Sequence, residues 1–104
     1  MAIRIPDMAG RASASEALMN AVDTEIIGEM ASALGNAGRK VEVTLARLAA
    51  HGGEGDERTA LVKAAADALY AYFVQRELCG LRRHDDVIQH YSIPREVLVR
   101  LGAR

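Results

Sequence analysis

The chain has 104 residues, 50% of them hydrophobic, and a formal net charge of −1 at pH 7. A chain of this length forms a single domain, residues 1–104, and its balanced charge gives no strong attraction to nucleic acid or to a membrane surface. The lone Cys79 excludes a disulfide within the chain, and no segment is apolar enough to act as a signal or a membrane span, so we expect a cytoplasmic protein with no membrane contact.

A stripe of mostly large apolar residues predicts a first helix over about residues 15–50. The members of this large-residue stripe recur at steps of three and four: Leu18, Val22, Ile26, Met30, Leu34, Ala37, Val41, Leu45 and Leu48. The phase continues across Gly35 and Gly38, which favours one unbroken helix. Each internal glycine costs about 1 kcal/mol relative to alanine, so a helical hairpin broken at these glycines remains the alternative. We expect residues 1–14 to be extended or disordered.

A second stripe on another side of this helix has almost no side chain. This small-residue stripe recurs at heptad-like steps and includes Ala21, Thr24, Gly28, Ala31, Gly35 and Gly38. Such a face lets a partner helix approach closely, and we therefore predict a homodimer with these six residues at its interface. Residues 15–34 carry only acidic charges and residues 35–50 carry mostly basic ones, so an antiparallel pair of first helices sets acid against base. Alanine is also frequent because it favours helix, and the sequence leaves open which face forms the interface.

The rest of the chain predicts three more helices and no strand. Glycines interrupt the chain at 52, 53 and 55, after which an apolar helix is expected over about residues 56–79, capped by Asp56 and ended by Gly80. Two short helices follow at about 85–91 and 94–101, with Pro94 in the first turn of the last one. The predicted fold is all-α, with two long antiparallel helices and a short C-terminal helix pair.

The C-terminal helix pair resembles a DNA-binding helix-turn-helix in the spacing of its apolar residues. The match is partial, because Ile88 stands where that motif has a small residue and Ser92 where its turn usually has glycine. The residues facing nucleic acid in this alternative are Arg95, Val99 and Arg100, whereas Glu96 beside them repels phosphate. We therefore expect the pair to close the core and nucleic acid not to be a partner.

Ionisable side chains gather at residues 82–86, with His90 nearby. His84 and His90 are six residues apart and point in different directions on a helix, which does not suit a metal site. Capping and ion pairing explain this cluster, and Cys79 is predicted to be a small buried hydrophobe. We predict no enzyme, no catalytic residue and no cofactor, although a cleft that joins Arg76, Glu77, Cys79 and a histidine would favour catalysis.

Two stretches carry a resemblance to a known family. The stretches YFVQRELCGLR, residues 72–82, and YSIPREVL, residues 91–98, resemble a small family of uncharacterised bacterial all-helical proteins. The resemblance implies a bacterial cytoplasmic protein and brings no activity with it. The sequence thus predicts a helical interaction protein that self-associates through its first helix and has room for a further, unidentified protein partner.

Overall fold

The computed structural model describes residues 6–103, with the side chains described from residue 13 onward. These residues form α-helices and no strand, which confirms the all-α prediction. The helices are α1 (Pro6–Ala50), α2 (Asp56–Leu78), α3 (Asp85–His90) and α4 (Arg95–Gly102).

Helix α1 is continuous through its glycines, as the unbroken periodicity predicts, and the hairpin alternative is wrong. Its start differs from the prediction, since the helix begins at Pro6 and not near residue 15. Proline suits the first helical position, because its missing N–H has no partner there in any helix. Residues 6–14 are therefore helical where an extended or disordered segment was expected, and residues 1–5 of that segment lie outside the described residues.

The chain divides into two compact units, Met1–Ala31 and Ser32–Arg104. The described part of the first unit belongs entirely to α1, and its side chains from residue 13 to residue 29 are exposed. A lone helix has no core of its own, so the division does not by itself make a second domain. The single-domain organisation stays a prediction.

The second unit holds the hydrophobic core. Its buried apolar side chains come from all four helices and from the turn between α3 and α4: Val41, Leu48, Val62, Ala65, Ala66, Ala68, Leu69, Val87, Ile93 and Val97. Within this unit α1 and α2 are antiparallel, because Gly38 lies beside Tyr72 while the carbonyl of His51 accepts a hydrogen bond from Arg58 Nη1 at 2.8 Å. Alanines supply half of the buried α2 positions, which keeps the neighbouring helices close.

The ends of α2 follow the sequence signals with one shift. Gly80 has φ 88°, and the N–H groups of Gly80 and Leu81 donate to the carbonyls of Glu77 and Arg76 at 3.0 and 2.9 Å. This pattern is a Schellman motif, and it confirms the predicted glycine end. At the other end Gly55, with φ 95°, is the N-cap, so the predicted cap Asp56 is instead the first helical residue.

The turn between α3 and α4 repeats the same motif without a glycine. Ser92 has φ 50°, and the N–H of Ile93 donates to the carbonyl of Ile88 at 3.0 Å. A left-handed conformation costs a non-glycine residue about 1 kcal/mol, and here it directs the buried Ile93 into the core. Pro94, which was predicted to lie in the first turn of the last helix, is instead the N-cap of α4, so the helix begins one residue later, at Arg95.

Candidate interaction surface

Large apolar side chains are exposed along the first unit. Leu18 is 67% exposed and Ile26 is 49% exposed, and their neighbours Met19, Val22 and Ile27 are exposed as well. Leu18, Val22 and Ile26 are the first members of the predicted large-residue stripe, and their steps of four residues keep them on one side of the helix. We call these three residues the apolar strip. Single exposed apolar residues are ordinary, whereas large contiguous apolar patches are typical of interaction surfaces, which makes this strip the candidate surface of the first unit.

The large-residue stripe therefore has two environments. Its later members Val41 and Leu48 are buried in the core of the second unit, while the apolar strip is exposed to solvent. Only acidic charges accompany the strip: Glu16, Asp23, Glu25 and Glu29. The exposed part of the first unit is thus apolar and negatively charged.

A basic surface lies on the part of α1 that belongs to the second unit. It surrounds a depression of about 640 Å³, and no acidic residue lines it; the lining residues are Asn36, Arg39, Lys40, Val43, Thr44 and Arg47. Val43 is 47% exposed. Arg39 Nη2 donates to Asn36 Oδ1, and Thr44 Oγ1 donates to the carbonyl of Lys40 at 2.7 Å. Lys40 and Arg47 form no ion pair with any described residue.

The predicted dimer residues of the small-residue stripe divide into exposed and buried members. Four of them are exposed in the first unit: Ala21, Thr24, Gly28 and Ala31. A Cβ added at Gly28 meets nothing within 4 Å, and one at Gly35 meets only the Arg39 side chain at 3.6 Å. Gly38 is different, because it is buried and its added Cβ would lie 3.4 Å from Tyr72 Cε1 of the same chain. Gly38 is a contact point for α2 and is removed from the predicted interface.

The buried Arg76 is the centre of a part-buried polar network that joins α2 to α3. Its Nε donates to His84 Nδ1 at 3.2 Å, and its Nη2 donates to the Arg83 carbonyl at 2.9 Å and to Asp86 Oδ1 at 3.2 Å. His84 Nε2 lies 2.9 Å from Glu77 Oε2. Because Nδ1 accepts from Arg76, the hydrogen-bond pattern assigns the ring proton to Nε2, which donates to Glu77.

This network joins Arg76, His84 and Glu77, three of the groups considered for a catalytic cleft. Both ring nitrogens of His84 have hydrogen-bond partners within the protein, Arg76 on one side and Glu77 on the other. The ring also stacks on Phe73, with centroids 4.1 Å apart, and His90 lies edge-on to Tyr91 instead. The network therefore fixes α3 against α2.

The helix pair with the helix-turn-helix spacing packs on α2. Val87, Ile93 and Val97 are buried, and Ser92 adopts the conformation for which the motif uses glycine. Arg95, Val99 and Arg100, the residues of the nucleic-acid alternative, are all exposed on α4.

Glu96 ties the same helix to α2. Its Oε2 accepts from Arg58 Nε at 3.2 Å, and this hydrogen bond is the main cause that raises the pKa of the Arg58 guanidinium. Because the guanidinium of Arg58 on α2 is paired with Glu96, it adds no unpaired positive charge beside α4.

Tyr91 joins the turn after α3 to α1. Its hydroxyl donates to Glu42 Oε1 at 3.3 Å, and its ring lies edge-on to Tyr72 with centroids 6.3 Å apart. Burial raises the pKa of the Tyr91 phenol above its ordinary value of 10.0, and the neighbouring Tyr72 and Glu42 raise it further. The C-terminal part of the chain is thereby attached to both long helices.

Neither a metal-binding cluster nor a membrane-spanning helix occurs among the described residues. From residue 6 to residue 103 no cluster of three or more histidine, cysteine, aspartate or glutamate residues is arranged to bind a metal ion. None of the helices described above combines the length and the apolar character that crossing a membrane requires.

Comparison with known proteins identifies one family. The sequence model of DUF6665, described as a family of unknown function, matches residues 6–104. No curated protein and no solved structure matches the chain. The match covers nearly the whole sequence and confirms the predicted resemblance to a family without an assigned activity.

Proposed function

Because the chain belongs to the DUF6665 family, whose function is unknown, we propose a function from its own surface: it is a helical interaction protein that associates with a second copy of itself through α1. The observation that carries this proposal is the exposure of the apolar strip Leu18, Val22 and Ile26. Water penalises exposed apolar area by about 25 cal/mol per Å², so covering these side chains drives association.

The apolar strip is preferred over the small-residue stripe as the contact face. Ala21, Gly28 and their neighbours remove little apolar area from water when they are covered, whereas each leucine or isoleucine side chain contributes about 1 kcal/mol or more. Gly38, the last of the six predicted interface residues, is already covered by Tyr72. The exposed members of that stripe form the alternative face.

Sedimentation velocity between about 1 and 100 µM tests self-association, the range in which modest helical contacts of 6–8 kcal/mol are half formed. We expect a species of twice the 11.2 kDa mass of the chain. Val22→Asp places a charge in the apolar strip and should give a monomer. Val99→Asp is the matched control, because Val99 is an exposed valine on α4, outside the proposed contact.

Both variants should retain the helical circular dichroism of the parent chain, since both positions are exposed. A parent chain that sediments as a monomer throughout this range refutes self-association. Equal dissociation of the Val22→Asp and Val99→Asp variants refutes the apolar strip as the contact.

A further inference from the structure

The basic surface on residues 36–47 has the composition of a docking site for an acidic, apolar helix. Val43 is its exposed apolar centre, with Lys40 one turn before it and Arg47 one turn after it. Neither cation is paired with a described residue, and no acid lines the depression. Two unpaired cations beside an exposed valine select an anionic partner with an apolar ridge.

The apolar strip of the first unit has that chemistry, and its spacing matches the basic surface in reverse. Val22, Ile26 and Glu29 are separated by four and then three residues; Arg47, Val43 and Lys40 are separated by the same two steps in the opposite direction. Steps of four and three residues keep side chains on one face of a helix.

We propose that the strip of one copy docks antiparallel on the basic surface of a second copy. This proposal rests on the self-association proposed above and specifies its register. Setting Ile26 against Val43 automatically sets Glu29 against Lys40.

The same register places Val22 over the alkyl stem of Arg47, a contact that long cationic side chains make while their charged ends stay in water. Glu25 follows Val22 by three residues and lies within one helical turn, where its carboxylate reaches the Arg47 guanidinium. Two-fold symmetry forms every one of these contacts twice. Each substitution in the register therefore counts twice in the dissociation constant.

Charge reversal and charge exchange test the register. Lys40→Glu and Glu29→Lys each replace two attractions with two repulsions, so each should weaken dimerisation about tenfold or more at low salt. The double variant Lys40→Glu with Glu29→Lys restores opposite charges and should recover the parent dissociation constant to within about threefold. Arg95→Glu is the control, with the same change of charge on α4, and should leave the constant unchanged.

The outcomes separate this inference from the proposed function. A parent dimer that Val22→Asp dissociates, but that Lys40→Glu leaves intact, keeps self-association and overturns the register. Failure of the double variant to regain affinity overturns it as well. A monomeric parent chain overturns both proposals.

Discussion

Replacement of Arg76 should destabilise the second unit more than replacement of Asp86, its partner in an ion pair. Arg76 is only 8% exposed, and its guanidinium makes three hydrogen bonds to residues 83–86. Arg76→Met keeps the bulk of the side chain but leaves the Arg83 carbonyl and His84 Nδ1 without their donor. A fully buried group that loses its partner costs about 1–3 kcal/mol; because these two acceptors are part-buried, we expect a loss of about 1–3 kcal/mol in total in the free energy of unfolding.

Two further variants separate charge from geometry. The Asp86 side chain is 74% exposed, so water can replace the Arg76–Asp86 ion pair when Arg76 is removed. For the same reason Asp86→Asn should lower the free energy of unfolding by less than about 1 kcal/mol. Arg76→Lys retains the positive charge, but an ammonium does not reproduce the planar fork, so it should lose about half of what Arg76→Met loses. Urea denaturation followed by circular dichroism measures all three. An Arg76→Lys variant as stable as the parent chain, or an Asp86→Asn variant as unstable as Arg76→Met, refutes the geometric role.

Three other predictions follow from α1 and the C-terminal helix pair. The raised pKa of Tyr91 means that the folded chain favours the neutral phenol, so the stability that this phenol contributes is fully present below pH 10 and is lost as the pH rises further. Urea titrations at about pH 7.5 and 10.5 should therefore show a smaller decrease in the free energy of unfolding for Tyr91→Phe than for the parent chain. Equal decreases would contradict this prediction. The added methyl group of Gly28→Ala meets open space, so this variant should increase the helical circular dichroism. Gly28→Leu tests whether the apolar strip or the small-residue stripe forms the dimer contact. The dimer should stay intact, and a monomeric Gly28→Leu variant would favour the small-residue stripe. Duplex DNA titrated at low salt should not bind, and binding that weakens steeply with salt and is lost in Arg95→Ala with Arg100→Ala would favour the nucleic-acid alternative.

Periodicity predicted the helices well because it depends on which side of each helix is apolar. It predicted the unbroken α1, the end of α2 at Gly80 and the short final pair, since local spacing and capping chemistry are sufficient for these features. The sequence predicts a start of α1 near residue 15, whereas the helix begins at Pro6. Proline is tolerated at the first helical position, but its presence does not require a helix to begin there, so it gave no signal.

The surfaces were harder to predict because a stripe does not say what covers it. Val22 and Val41 belong to the same stripe, yet the first is exposed and the second is buried. Gly38 looks like Gly28 in the sequence, and only the position of Tyr72 shows that its space is filled within the chain. The Arg76 network joins residues up to ten apart around a helix end, and no repeating pattern signals such a contact.

The position of the core makes the acidic part of α1 unusually suitable for testing association. Every buried apolar residue among the described side chains lies at or after Val41, within the second unit. Substitutions at Val22, Ile26 and Glu29 therefore remove no core contact, and their effect on the free energy of unfolding of the monomer should stay within about 0.5 kcal/mol. A change of oligomeric state in these variants then reports a lost contact between copies and not a damaged fold.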